Sequence, residues 1–100
     1  MNTVAKGRRN EIRAEKFMLK EGYIVHRVRR SRYGPQDFFG LFDLICLSKH
    51  KPTVWVQVKT NRLPTMKPFS EFQDQYLGYD NQIWLMAWME KSNAWKIKVV

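Results

Sequence analysis

Apolar positions recur at helical spacing near the start of the chain, then at strand spacing, and the change of period marks out the elements. Over residues 7–21, steps of about 100° put Ile12, Ala14, Phe17, Met18 and Leu19 on one broad arc. Arg9, Arg13, Lys16 and Lys20 fall on the opposite side. No proline interrupts the stretch and Gly22 follows it, so a helix is predicted that stops there. Glu11 and Glu15 do not join the bases. Both lie between Met18 and Leu19, inside the apolar arc.

Residues 23–29 are rich in β-branched and aromatic side chains and predict a strand. Residues 30–40 carry Ser31, Gly34, Pro35 and Gly40 and predict a loop. The apolar run 41–47 has the pattern of a strand buried on both faces. Residues 48–53, with Pro52, close a hairpin onto 54–59. There Val54, Val56 and Val58 face one way and Trp55, Gln57 and Lys59 the other. Residues 62–68 hold two prolines and read as a connection. Residues 69–79 predict a second helix with Ser70 as N-cap, and 83–89 and 94–99 predict two further strands. The order α-β-β-β-α-β-β predicts an α/β fold with helices flanking a central mixed sheet.

One hundred residues make one domain, residues 1–100, with a thin core that gains from a dimer partner. A hydrophobic share of 44%, with 14% aromatic, excludes disorder. Eighteen Lys and Arg against nine Asp and Glu leave a formal charge of +9. That excess points to a polyanionic partner, nucleic acid before anionic membrane. The single cysteine, Cys46, excludes an internal disulfide framework and a cysteine-based zinc site. No apolar run is long enough to span a bilayer, and the basic N-terminus lacks a signal peptide's apolar stretch. A soluble cytoplasmic protein is expected.

Against this background a few polar residues stand out. Asp43 interrupts Leu41, Phe42, Leu44, Ile45, Cys46 and Leu47. A buried carboxylate needs a base, hydrogen bonds or a cation, so Asp43 either caps a loop at a strand mouth or belongs to a site. Gln57 and Lys59 share one face of a strand, which fits a solvent-exposed face or a place beside Asp43. Glu11 and Glu15 fit surface ion pairs with Arg8, Lys16 or a sheet arginine. They equally fit acids reaching into a pocket between helix and sheet. Taken together, these residues compose a candidate site for a divalent cation, because Mg²⁺ takes hard oxygen ligands and keeps several waters.

The same residues carry a resemblance. The chain resembles a small PD-(D/E)xK nuclease of the archaeal-type Holliday junction resolvase branch and its phage relatives. The resemblance rests on Lys6-Gly7 with Glu11 four residues after the glycine, and Gly22-Tyr23 with Val25 and Arg27. It continues in Phe42-Asp43-Leu44-Ile45 and Val56-Gln57-Val58-Lys59, with thirteen residues between Asp43 and Gln57. It implies a restriction-endonuclease-like core, and a catalytic set of Glu11 as helix acid, Asp43 as central metal ligand and Lys59 as catalytic lysine. Gln57 stands where the family usually has Glu or Asp. An amide oxygen still ligates a metal but removes one negative charge, so a modified, weaker Mg²⁺ site is expected, with Mn²⁺ substituting. Glu15, one turn on from Glu11, is the alternative helix acid and metal ligand.

For DNA contact the candidates are Lys6, Arg8 and Arg9 near the start of the helix, and Arg27, Arg29, Arg30 and Arg32 leading into the loop. No element resembles a base-reading helix, so shape rather than sequence is the expected target. His26 and His50 lack partners at metal-ligand spacing, Cys46 reads as a buried small hydrophobe, Trp84, Met86, Trp88, Met89 and Trp95 fill the core or a dimer contact, and Asp37 reads as turn chemistry. Three functions are in play. The first is a Mg²⁺-dependent endodeoxyribonuclease on branched or duplex DNA, a four-way junction by resemblance, acting as a twofold homodimer. The second is a non-catalytic nucleic-acid-binding module with a degenerate site. The third is a basic protein that binds a protein partner.

Overall fold

The computed structural model describes residues 3–28 and 37–100. In chain order it contains α1 (Thr3–Lys20), β1 (Ile24–Arg27), β2 (Leu44–Leu47), β3 (Thr53–Thr60), α2 (Lys67–Tyr76), β4 (Asn81–Met89) and β5 (Ala94–Val99). This is the expected α-β-β-β-α-β-β succession. All five strands join one sheet whose spatial order repeats the chain order. Only β3 and β4 run parallel; the other three pairings are antiparallel. The parallel pair is the one that α2 bridges, because parallel neighbours require a crossover.

The two helices cover opposite faces. Ala14 and Met18 of α1 pack on Tyr23, Leu44, Cys46, Val54, Val56, Val58 and Met86. On the other face Phe69 of α2 packs with Phe42, Ile83 and Leu85, and Trp55, Leu63 and Phe72 border them. The alternation in β3 is thus as expected: its valines lie under α1, and Trp55 faces α2. Gln57 and Lys59, at steps of two from Trp55, share that second face.

Several boundaries differ from expectation for identifiable reasons. Helix α1 begins at Thr3 rather than Gly7, and its inward face is rotated: Asn10 is buried at 2% exposure while Leu19 is 51% exposed. The strip that meets the sheet is Asn10, Ala14, Phe17 and Met18, a polar residue completing the i, i+4, i+7, i+8 pattern. The expected stop at Gly22 is present as a full reverse turn. Tyr23 N–H donates to the Met18 carbonyl at 3.1 Å and Gly22 N–H to the Leu19 carbonyl at 3.0 Å, with Gly22 at φ +98°.

Strand β2 starts only at Leu44. Its outward residue Leu47 is exposed, so it is not buried on both faces. Phe42, though apolar, leaves the strand to fill the α2 side of the core. Helix α2 begins at Lys67 with Met66 as its N-cap, and Pro68 sits in its first turn, where a missing N–H costs nothing. Ser70 is therefore inside the helix and not its cap; its hydroxyl donates to the Lys67 carbonyl at 3.2 Å. No helix among the described residues is long and apolar enough to cross a membrane.

Candidate active site

Strands β2 and β3 part at Asp43. Their ladder begins at Leu44, opposite Val56. One residue earlier, Asp43 N–H donates to the Val56 carbonyl at 2.8 Å, and the Asp43 carbonyl accepts from Val28 N–H at 3.0 Å. Val58 N–H has no strand carbonyl opposite it and donates instead to Asp43 Oδ2 at 2.8 Å. A carboxylate thus closes the ladder where the strands diverge. Of the two readings of Asp43, these contacts describe the strand-mouth cap, and the cap holds the carboxylate rigidly at the split.

Gln57 fills the same gap. Its amide lies against two acceptors, and in the orientation that satisfies both, Nε2 donates to the Leu41 carbonyl and, at 3.3 Å, to Asp43 Oδ2. Turning the amide by half a rotation presents its oxygen to the same point. Three oxygens would then face one another there, from an amide, a carboxylate and a peptide. Such an arrangement is repulsive unless a cation lies among them. The donor set is hard and oxygen-only, which suits Mg²⁺ or Mn²⁺. Among the described residues no three His, Cys, Asp or Glu side chains cluster to hold an ion by themselves. The site would accordingly rely on the amide, on peptide oxygen and on retained water.

Electrostatics identifies what else faces Asp43. Burial pushes its carboxyl up to about 7; the Val58 N–H lowers it, the charges of Glu11 and Asp37 raise it, and the Lys59 ammonium lowers it. The charges of Glu11 on α1 and Lys59 on β3 therefore both act on this carboxylate. The charge of Asp37, a residue expected only to serve a turn, acts on it as well. Glu15 is directed elsewhere. It accepts from Arg27 Nε at 3.3 Å, the sheet-arginine pairing foreseen as one option, and its charge acts on Cys46. Burial first and Glu15 second push the Cys46 thiol up to about 12, so this sulfur is an inert core group.

The candidate DNA contacts divide in the same way. Lys6 is engaged with Glu90 at 3.2 Å and Arg27 with Glu15. Arg8 and Arg9 are exposed and, with Arg13 and Lys16, border a groove on the outward side of α1. Arg29, Arg30 and Arg32 lie outside the described residues. A second groove, of about 570 Å³, opens at the end of β3 and is lined by Lys59, Thr60, Arg62, Leu63, Pro64 and Thr65. Arg62, in a stretch expected only to connect two elements, thus stands beside Lys59.

No protein-family model and no curated protein matches the chain. Among solved structures the chain is similar to Hjc, a Holliday junction resolvase from the archaeal hyperthermophile Archaeoglobus fulgidus. The TM-score is 0.65 and 16% of residues are identical, over 92% of this chain and 75% of that one. The mixed five-stranded sheet, the helix on each face and this likeness together show that the chain has a restriction-endonuclease-like α/β fold of the Hjc kind.

Proposed function

We propose that residues 1–100 form a single nuclease domain, a Mg²⁺-dependent endodeoxyribonuclease that hydrolyses phosphodiesters in branched DNA. The four-way junction is its first substrate, and a cytoplasmic homodimer its working form. The observation that carries this reading is the Gln57 amide seated against Asp43 at one strand split, where the charges of Glu11 and Lys59 also act, in a fold shared with a solved junction resolvase. Asp43, Glu11 and the Gln57 amide oxygen are the groups that would hold the cation. When bound, it supplies charge that polarises the phosphoryl oxygen and favours in-line attack by water. Asp43 contributes rigidity, fixed through Val58 N–H. The Lys59 ammonium, exposed on the Gln57 face, offsets negative charge developing on the phosphate. Arg8, Arg9 and Arg62 bind flanking phosphates.

One observation favours the non-catalytic alternative. With its nitrogen turned inward, the Gln57 amide pairs directly with the Leu41 carbonyl and Asp43 Oδ2. Cleavage of a labelled four-way junction, beside linear duplex and single strand, separates the two. Each substrate is run with Mg²⁺, with Mn²⁺ and with chelator. Paired symmetric nicks, dependent on metal and reduced at least 100-fold by both Asp43→Asn and Lys59→Ala, are expected. Junction binding without any metal-dependent cutting would establish the binding module instead, and cutting of plain duplex alone would make the chain a general nuclease.

A further inference from the structure

Asn10 is the single buried polar or charged side chain among the described residues. A buried amide destabilises a helix–sheet interface unless its donors and acceptor are paired, and an apolar residue would fill the same space without that demand. Here the demand is met from two directions. Asn10 Nδ2 donates to Thr60 Oγ1 at 2.6 Å, and its Oδ1 accepts from Arg13 Nη1 at 2.5 Å. The Arg13 guanidinium in turn lies 4.0 Å over the Trp88 ring, which packs edge-on against Trp95. The amide is therefore clamped at both ends.

Its place in the chain gives the clamp a purpose. Asn10 directly precedes Glu11, and Thr60 directly follows Lys59. Apolar packing alone is non-directional and tolerates small rotations of a helix on a sheet. A 2.6 Å hydrogen bond with fixed partners does not. We infer that Asn10 and Thr60 are positioning residues: their hydrogen bond sets the rotation and height of α1 on β3, and so fixes where α1 presents Glu11 to the site at Asp43. This rests on the reading of the site as a metal-dependent one. A misplacement of about 1 Å in such a site costs on the order of 100-fold in rate.

The test removes one hydroxyl. Thr60→Val keeps the shape and abolishes the bond, and Thr60→Ser restores it. Mn²⁺ affinity is measured by calorimetry and junction affinity in chelator by fluorescence anisotropy. Thr60→Val is expected to weaken Mn²⁺ binding about 10-fold, Thr60→Ser to return it to within about twofold of wild type, and junction affinity in chelator to stay unchanged. In a Glu11→Gln background Thr60→Val is expected to have no further effect on metal binding, because the bond acts through Glu11. Should Thr60→Val fail to fold, Thr60→Ala, which leaves room for water, is read in its place. A folded variant that binds Mn²⁺ as wild type does, or whose loss simply adds to that of Glu11→Gln, overturns the positioning role and leaves the nuclease reading intact. Wild type that binds no Mn²⁺ overturns the nuclease reading itself, and the positioning role with it.

Discussion

Asp43 is the residue on which the candidate site turns, and its raised pKa makes a prediction with a definite sign. Its folded-state value of about 7 stands above the ordinary 3.8, so the folded chain binds this proton more tightly than the unfolded one. The stability contributed by the proton is complete below about pH 4 and is lost as pH rises through about 7. Metal-free wild type should therefore lose more Tm between pH 5 and pH 8 than Asp43→Asn, which keeps an acceptor for Val58 N–H and carries no charge. A difference of about 5 °C corresponds to roughly 1 kcal/mol, the share left after discounting for partial solvent access. Mn²⁺ at pH 8 should close the gap in wild type only, since the metal takes the ionised form. Equal pH slopes in the two proteins would show that the carboxylate is not under strain. The candidate residues themselves were partly legible in the sequence. Asp43 announced itself as a charge in an apolar run, and Gln57 with Lys59 by their spacing of two. Asn10 and Thr60 did not, because an Asn beside arginines in a helix looks solvent-facing until its partner on a distant strand is known. Asp37 was hidden by its turn-like surroundings.

Among the elements, the end of α1 is the most sharply specified. Gly22 adopts φ +98°, and a methyl group there would meet Lys51 Nζ only at ordinary contact distance, 3.4 Å, so backbone strain is the obstacle. Gly22→Ala should cost about 1–2 kcal/mol and lower Tm by roughly 5–10 °C in thermal melts followed by circular dichroism, with β1 entering the sheet less firmly. A loss under 2 °C would mean the turn relaxes freely. Element order was readable because the period of the pattern changes cleanly from helix to strand. Element edges were not, for particular reasons. Phe42 is apolar but serves the α2 side of the core rather than β2, and Pro68 looks like a breaker while sitting where a helix tolerates one. The inward face of α1 was misjudged because the helix buries an amide and leaves Leu19 in solvent.

At the level of the molecule, an apolar patch beside α2 is exposed among the described residues. Phe39 and Tyr76, 70% and 69% exposed, flank Phe72 in ring contacts of 5.4 and 5.1 Å, beside a groove of about 510 Å³. Phe39 also holds a left-handed backbone at φ +58°, a strained state for a bulky side chain. A patch of this kind suits the twofold contact of the proposed dimer more than Trp84 and Trp95 of the last two strands, which pack against the core. Light scattering should give twice 12.0 kDa for wild type and the monomer mass for Phe39→Glu/Tyr76→Glu. A wild-type monomer at 50 μM, on the order of the loading used, would exclude the proposed dimer. The repetition of chain order in strand order has a separate consequence, for biogenesis. Each new strand emerging from the ribosome finds its neighbour already waiting at the open edge, and none has to wedge itself between two that are already paired. Such a polypeptide can zip up strand by strand, so refolding of the protomer in dilute buffer should show one main kinetic phase, with isomerisation at its four prolines as a slower, minor one.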